Sequence, residues 1–199
     1  MRLASLVRTK LLPALAAVSL CAAASAEPRT FVADPAQSKV DFTLGDVLHT
    51  VHGRFTLKSG SMQFDDATGA ASGELIVDAT SGDSGSKARD NKMKKEILET
   101  QKFPEIIFTP QHVKGTVAAA GNSQVELDGV MMLHGKPHPM SLTVPVDISD
   151  GKASADVHFV VPYVDWGLKN PSTFILRVST TVDIVVHAVG RISTTSATR

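Results

Sequence analysis

From residue 39 onward the chain is dominated by alternation of apolar and polar positions with a period of two. Val40, Phe42 and Leu44 share one face, with Lys39, Asp41 and Thr43 opposite. The pattern returns at Phe55 and Leu57, at Met62 and Phe64, and at Leu75 and Val77. It continues through Ile106 and Phe108, then Val125, Leu127, Gly129, Met131 and Leu133. Leu142 to Ile148, Val157 to Tyr163, Phe174 to Val178 and Val182 to Val186 complete the series. Alternation of this kind predicts strands with one face buried. Turn-forming stretches separate the runs: Lys58-Ser59-Gly60, Asp65 to Gly69, Ala120-Gly121-Asn122 and Ser149-Asp150-Gly151. Such short spacing implies antiparallel hairpins. So many strands must close into a barrel or pack as a sandwich, because open edges invite aggregation.

One segment departs from this period. Residues 86–101 are rich in helix formers, and Met93, Ile97 and Leu98 make a narrow apolar stripe. The Lys102-Phe103-Pro104 step ends the helix and starts the next strand. A mostly β chain with one helical insert is expected to carry it as a lid or plug across one barrel end. Ser193 to Arg199 shows no pattern and reads as a frayed tail, so the domain is placed at 27–190 and a disordered tail at 191–199.

The first 26 residues have another purpose. Arg2, Arg8 and Lys10 precede the apolar run Leu11 to Cys21, and Ala24-Ser25-Ala26 offers small residues where a signal peptidase cuts. This predicts a cleaved signal peptide and a periplasmic or secreted protein. Val18-Ser19-Leu20-Cys21 is a weaker match to a lipidation site, because Leu20 is not small.

Composition then narrows the function. Cys21 is the only cysteine, so cleavage leaves no disulfide, thiol nucleophile or cysteine metal ligand. The 20 basic and 20 acidic residues balance, and three of the basic ones leave with the signal. No nucleic-acid partner is expected, and no later stretch can span a membrane as a helix. Seven histidines make a metal site the rival reading, through His49 and His52 or His134 and His138. That spacing is weak, since residues three apart on a strand point to opposite faces. No Gly-x-Ser-x-Gly elbow or phosphate loop is present, and nothing in the chain argues for an enzyme.

Order and spacing of short motifs add a resemblance covering residues 30 to 188. They are Val32-Ala33-Asp34-Pro35-Ala36-Gln37-Ser38-Lys39-Val40-Asp41-Phe42, Val51-His52-Gly53-Arg54-Phe55, Met62-Gln63-Phe64-Asp65, Arg89-Asp90, Phe103-Pro104-Glu105-Ile106-Ile107-Phe108, Gly135-Lys136-Pro137-His138 and Trp166-Gly167. The chain resembles the YceI-like, polyisoprenoid-binding family. That resemblance implies an all-β fold, a single antiparallel lipocalin-like barrel, with the helical insert near its mouth and a long apolar tunnel. It implies a bound isoprenoid-type lipid, polyprenyl or quinone-like, without a separate cofactor, and makes a homodimer plausible. The chain departs from the family pattern at Asp46, where a histidine is common, and at Asn91-Lys92-Met93, where a His-Leu type pair follows Arg-Asp.

Periodicity alone describes the apolar faces equally well as a filled core; the resemblance shifts the expectation to a tunnel. The candidate ligand-binding residues are Phe42, Leu44, Phe55, Leu57, Met62, Phe64, Leu75, Phe108, Met131, Leu133, Val144, Phe159 and Trp166. Met132 and Met140 are further flexible candidates, since thioether side chains suit an irregular apolar ligand. Arg89 and Asp90 are the polar candidates, either for a headgroup or simply as a helix-start pair.

Overall fold

The computed structural model describes residues 28–45, 50–174 and 177–194. The signal segment with Cys21, the positions Asp46 and His49, and residues 195–199 lie outside them. Nine strands form one antiparallel sheet: β1 (Arg29–Ala33), β2 (Lys39–Gly45), β3 (Thr50–Phe64), β4 (Ala71–Asp83), β5 (Glu105–Lys114), β6 (Gly121–Leu133), β7 (Lys136–Ser149), β8 (Lys152–Val161) and β9 (Val182–Thr194). From β2 to β9 each strand pairs with the next, and β9 pairs back onto β2, which closes the barrel. Among the described residues no strand is left with only one neighbour. Between β4 and β5 lie the α-helix α1 (Lys87–Lys92) and a π-helical turn (Met93–Ile97).

Nine strands occupy eight places, because β1 and β2 share one. β1 pairs with the ends of β3 and β9 through Arg29↔Phe64 and Arg29↔Thr194. β2 pairs farther along both, through Val40↔Phe55 and Val40↔Val186. The turn between them, Asp34 to Ser38, interrupts the ladder without leaving it unsatisfied. Asp34 Oδ1 accepts the Ala36 N–H at 2.9 Å. The buried Ser38 hydroxyl donates to the Asp34 carbonyl at 2.8 Å and accepts the Val189 N–H at 3.1 Å.

Several boundaries differ from those the sequence suggests. Lys58-Ser59-Gly60 is not a turn. It lies inside the 15-residue β3, at a bulge between Leu57 and Ser59. The extra residue shifts the alternation by one, so Phe55 and Leu57 face inward at odd positions while Met62 and Phe64 do so at even ones. The same device in β5, between Pro110 and His112, moves the inward face from Phe108 to Val113. The helix expected over 86–101 ends at Ile97. Glu99 takes a positive φ of 47°, and its carbonyl receives the N–H groups of Lys102 and Phe103.

The strand expected from Phe174 to Val178 includes Ile175 and Leu176, which lie outside the described residues; Phe174 itself is in no strand and stands 95% exposed. Tyr163 likewise falls beyond the end of β8, where its hydroxyl donates to the Ser179 carbonyl at 2.6 Å. Arg191 to Thr194, assigned to the tail, extends β9, because β1 offers them a partner. The hairpin turns at His134-Gly135 and Asp150-Gly151 use two consecutive positive-φ residues, as the right-handed twist of a tight hairpin requires.

The two barrel ends differ. One carries the helical segment and the connection from β8 to β9. The other is closed by Arg29. Its guanidinium pairs with Asp66 at 2.6 Å and donates to the carbonyls of Val117 and Ala118, and it lies 5.0 Å from the centre of the Phe64 ring. That ties the start of β1 to the β3–β4 and β5–β6 connections. Replacing it by methionine (Arg29→Met) keeps the apolar stem and strands these acceptors. The expected loss is about 2–3 kcal/mol of unfolding free energy, read from urea denaturation; an unchanged midpoint would remove Arg29 as the closure of this end.

Candidate functional site

The interior of the barrel is hollow. A cavity of about 660 Å³ runs from Val113 and Val117 near the Arg29 end to Leu98, Leu168 and Pro171 under the helical segment. All eight strand places contribute, and the lining is almost wholly carbon. This follows from the alternation: β6 turns Val125, Leu127, Met131 and Leu133 inward, and β7 turns Leu142, Val144 and Ile148 inward. The polar groups on the lining are few: Ser84, Arg89 and Lys92 at the mouth, with Ser154 and Tyr163 on the wall and rim.

Large side chains on the inner face do not fill it, and the glycines show why. Phe42 lies across Gly53 on the neighbouring strand; a Cβ there would sit 2.2 Å from the ring. Phe108 covers Gly129, where a Cβ would meet the ring at 2.5 Å, and Phe55 covers Gly82 at 2.7 Å. Each ring uses the space a missing side chain leaves on the wall. The aromatics therefore flatten against the sheet and leave the middle open.

Thirteen of the sequence candidates line this space: Phe42, Leu44, Phe55, Leu57, Met62, Phe64, Leu75, Arg89, Phe108, Met131, Leu133, Val144 and Phe159. Trp166 and Asp90 do not. Trp166 lies in the loop after β8, stacked on His138 with ring centres 4.0 Å apart and planes at 6°. Asp90 is buried, but its carboxylate accepts the N–H of Ser84 at 2.9 Å and the Ser84 hydroxyl. Burial pushes this carboxyl up; the Ser84 bonds and the charges of Lys94 and Arg89 outweigh it, and its pKa lies below the ordinary value. Asp90 thus anchors the helix start. Arg89 helps, its Nε and terminal nitrogen each 2.7 Å from Ser84 oxygens, and it also borders the cavity. Met132 and Met140 are also off the lining, Met132 because its neighbour Met131 takes the inward position.

Sequence reasoning missed the ceiling and one wall. Met93, Ile97 and Leu98, recognised only as a helix stripe, roof the cavity. Val182, Ile184, Val186 and Ala188 of β9 line it, and their alternation was the available signal. Lys92 stands at the mouth, exposed and in no ion pair among the described residues.

The histidines have separate structural surroundings. His52 bonds the Thr43 hydroxyl at 3.1 Å, and His134 Nε2 meets Glu99 Oε2 at 2.7 Å. Glu99 is held below its ordinary pKa by Lys102 first and His134 second. Among the described residues no three His, Cys, Asp or Glu side chains come together as a metal site would need.

The YceI-like domain family model matches residues 31–190. The chain belongs to this family. BcnA of Burkholderia cenocepacia is similar in structure, with a TM-score of 0.64, 20% identity, and coverage of 79% of this chain and 98% of that one. A polyisoprenoid binding domain from Saccharophagus degradans, implicated in plant cell wall breakdown, gives 0.64 at 17% identity over 82% and 98%. The Campylobacter jejuni YceI protein gives 0.59 at 16% identity over 72% and 86%. At these identities the likeness speaks for the fold, a closed eight-place antiparallel barrel of the lipocalin-like kind. No curated protein sequence matches the chain.

His138 supplies a pH-dependent prediction. Its Nε2 is buried without a partner, and burial, aided by the charge of Lys136, lowers its pKa below 6.5 against a bond to the Leu133 carbonyl. The unfolded chain therefore takes up this proton at higher pH than the folded one. The neutral ring's stabilising contribution is complete above about pH 6.5 and is lost as pH falls toward the lowered value. Thermal melts between pH 8 and 5 should show a steeper acid-side fall in Tm for the native protein than for His138→Gln; parallel curves would contradict this.

Proposed function

We propose that this protein holds a long apolar chain of the isoprenoid type, a polyprenyl or isoprenoid-quinone lipid, within the barrel. Its role is carriage, storage or protection of that lipid across an aqueous compartment. The observation that carries this reading is the continuous carbon-lined cavity of about 660 Å³, with its charged groups confined to the mouth. A linear lipid offers much apolar surface and few hydrogen bonds, and a channel with polar atoms at one end complements it. The S. degradans relative, a polyisoprenoid binding domain, supports the same class of ligand.

Capacity follows from a simple comparison. A dry apolar cavity of ~150 Å³ accepts one benzene. By that measure this cavity takes on the order of 25 carbons, or about five isoprene units, before any side chain moves. A longer chain would place its remaining length and its headgroup at the mouth, beside Ser84, Arg89 and Lys92. The leader expected in the first 26 residues supports a site of action in the periplasm or outside the cell.

The test is native mass spectrometry of protein purified from a bacterial periplasm, followed by organic extraction. A co-purifying isoprenoid lipid is expected. Ala155 lies on the lining, and Ala155→Trp fills lumen volume without burying a charge. It should lower the recovered lipid several-fold while Tm stays within a few degrees. Equal lipid in both proteins would overturn the reading.

A further inference from the structure

The mouth has an outer surface that lipid holding does not explain. Phe174 is 95% exposed, whereas the other exposed large apolar residues among those described are valines at 42–50%. It sits in the loop after β8, between Pro171 and Val178, both of which line the cavity. Described residues before and after it are tied down at the mouth. Lys169 pairs with Glu96 of the helical segment at 3.2 Å, and the Tyr163 hydroxyl holds the Ser179 carbonyl. The exposed ring therefore stands beside the opening.

At this end of the barrel unpaired cations outnumber unpaired carboxylates among the described residues, Asp165 being the exposed carboxylate of the β8–β9 connection without an ion pair. Lys87, Lys92 and Lys95 on the helical segment and Arg177 in the loop are exposed and in no ion pair among the described residues. The acidic groups of the helical segment are largely occupied. Glu96 is held by Lys169, Glu99 by Lys102 and His134, Asp90 by Ser84, and Asp83 accepts the Gly85 N–H.

We propose that this end docks on an anionic lipid bilayer, with Phe174 at the headgroup level and the lysines and Arg177 on the lipid phosphates. An apolar residue amid unpaired cations is the arrangement that partitions into such an interface. Each cation near an anionic surface adds attraction within about a Debye length. The orientation would bring the cavity mouth against the membrane, so that an apolar ligand could pass without crossing water. In that respect the inference rests on the function proposed above.

The test is flotation of the purified protein with phosphatidylcholine vesicles and with vesicles containing one-third phosphatidylglycerol. Binding to the anionic vesicles only, weakened in 0.5 M NaCl, is expected. The triple variant Lys87→Gln, Lys95→Gln, Arg177→Gln should bind at least tenfold more weakly, and Phe174→Ser several-fold more weakly. None of these side chains lines the cavity, so melting curves should match the native protein. Equal binding to both vesicle types, no binding, or variants that bind as the native protein does would overturn the proposal. So would a dimer dissociated by Phe174→Ser, which would make the patch a contact between copies. An empty cavity in a protein that still floats with anionic vesicles would reject the lipid-holding reading and leave the docking surface standing.

Discussion

Everything in this molecule depends on β9 meeting β1 and β2. That pairing turns a long meander into a closed wall, and only a closed wall can keep an interior empty. An open sheet with the same inner face would collapse on itself or pair with another copy, since its apolar side chains and its edges would both seek partners. In the closed barrel every strand place has a paired neighbour on both sides, and at the break between β1 and β2 the Ser38 hydroxyl receives the Val189 N–H.

A hollow interior is costly, because lining atoms lose packing partners on one side. The structure limits this cost by letting its largest inward side chains pack sideways. Phe42, Phe55 and Phe108 lie on the backbone of Gly53, Gly82 and Gly129, so each ring has neighbours on the wall and needs none across the lumen. The two ends divide the remaining work. Arg29 draws together connections at one end through its carboxylate and carbonyl partners. At the other, Asp90 and Arg89 clamp Ser84 and set the helical segment over the opening. The pair expected to meet a headgroup is thus first a device for holding the roof, with Arg89 alone also bordering the cavity.

Much of the architecture was legible because the alternation is long. β6, β7 and β8 have uninterrupted patterns, and their inward residues are the ones that periodicity selects. Where the pattern failed, a bulge or a missing partner explains it. At Lys58 one additional residue reverses the phase of β3, so a single strand resembles two with a turn between them. At Phe174, where the sequence suggested the start of a strand, both sides of β8 and β9 are already paired, and the ring stays in solvent. Whether the inner face encloses a space was not legible from the apolar residues, because a filled barrel and a hollow one present the same period. The distinguishing residues were small ones, glycines facing phenylalanines, whose effect emerges only once register is known. Trp166 misled for a related reason. Its size suggested the interior, yet it follows the last residue of β8 and finds its packing on His138 at the rim.

The shared place of β1 and β2 also constrains time. Their partner on one side is the last strand of the domain, about 150 residues later, as the Ser38–Val189 contact shows. Until β9 has emerged from the ribosome, the first two strands lack half of their hydrogen-bond partners and the barrel cannot shut. Local hairpins such as β6–β7 can form early, but the cooperative fold must wait for the C-terminal strand. A chain wired in this way remains threadable throughout its own synthesis, and becomes a container only when its end has joined its beginning.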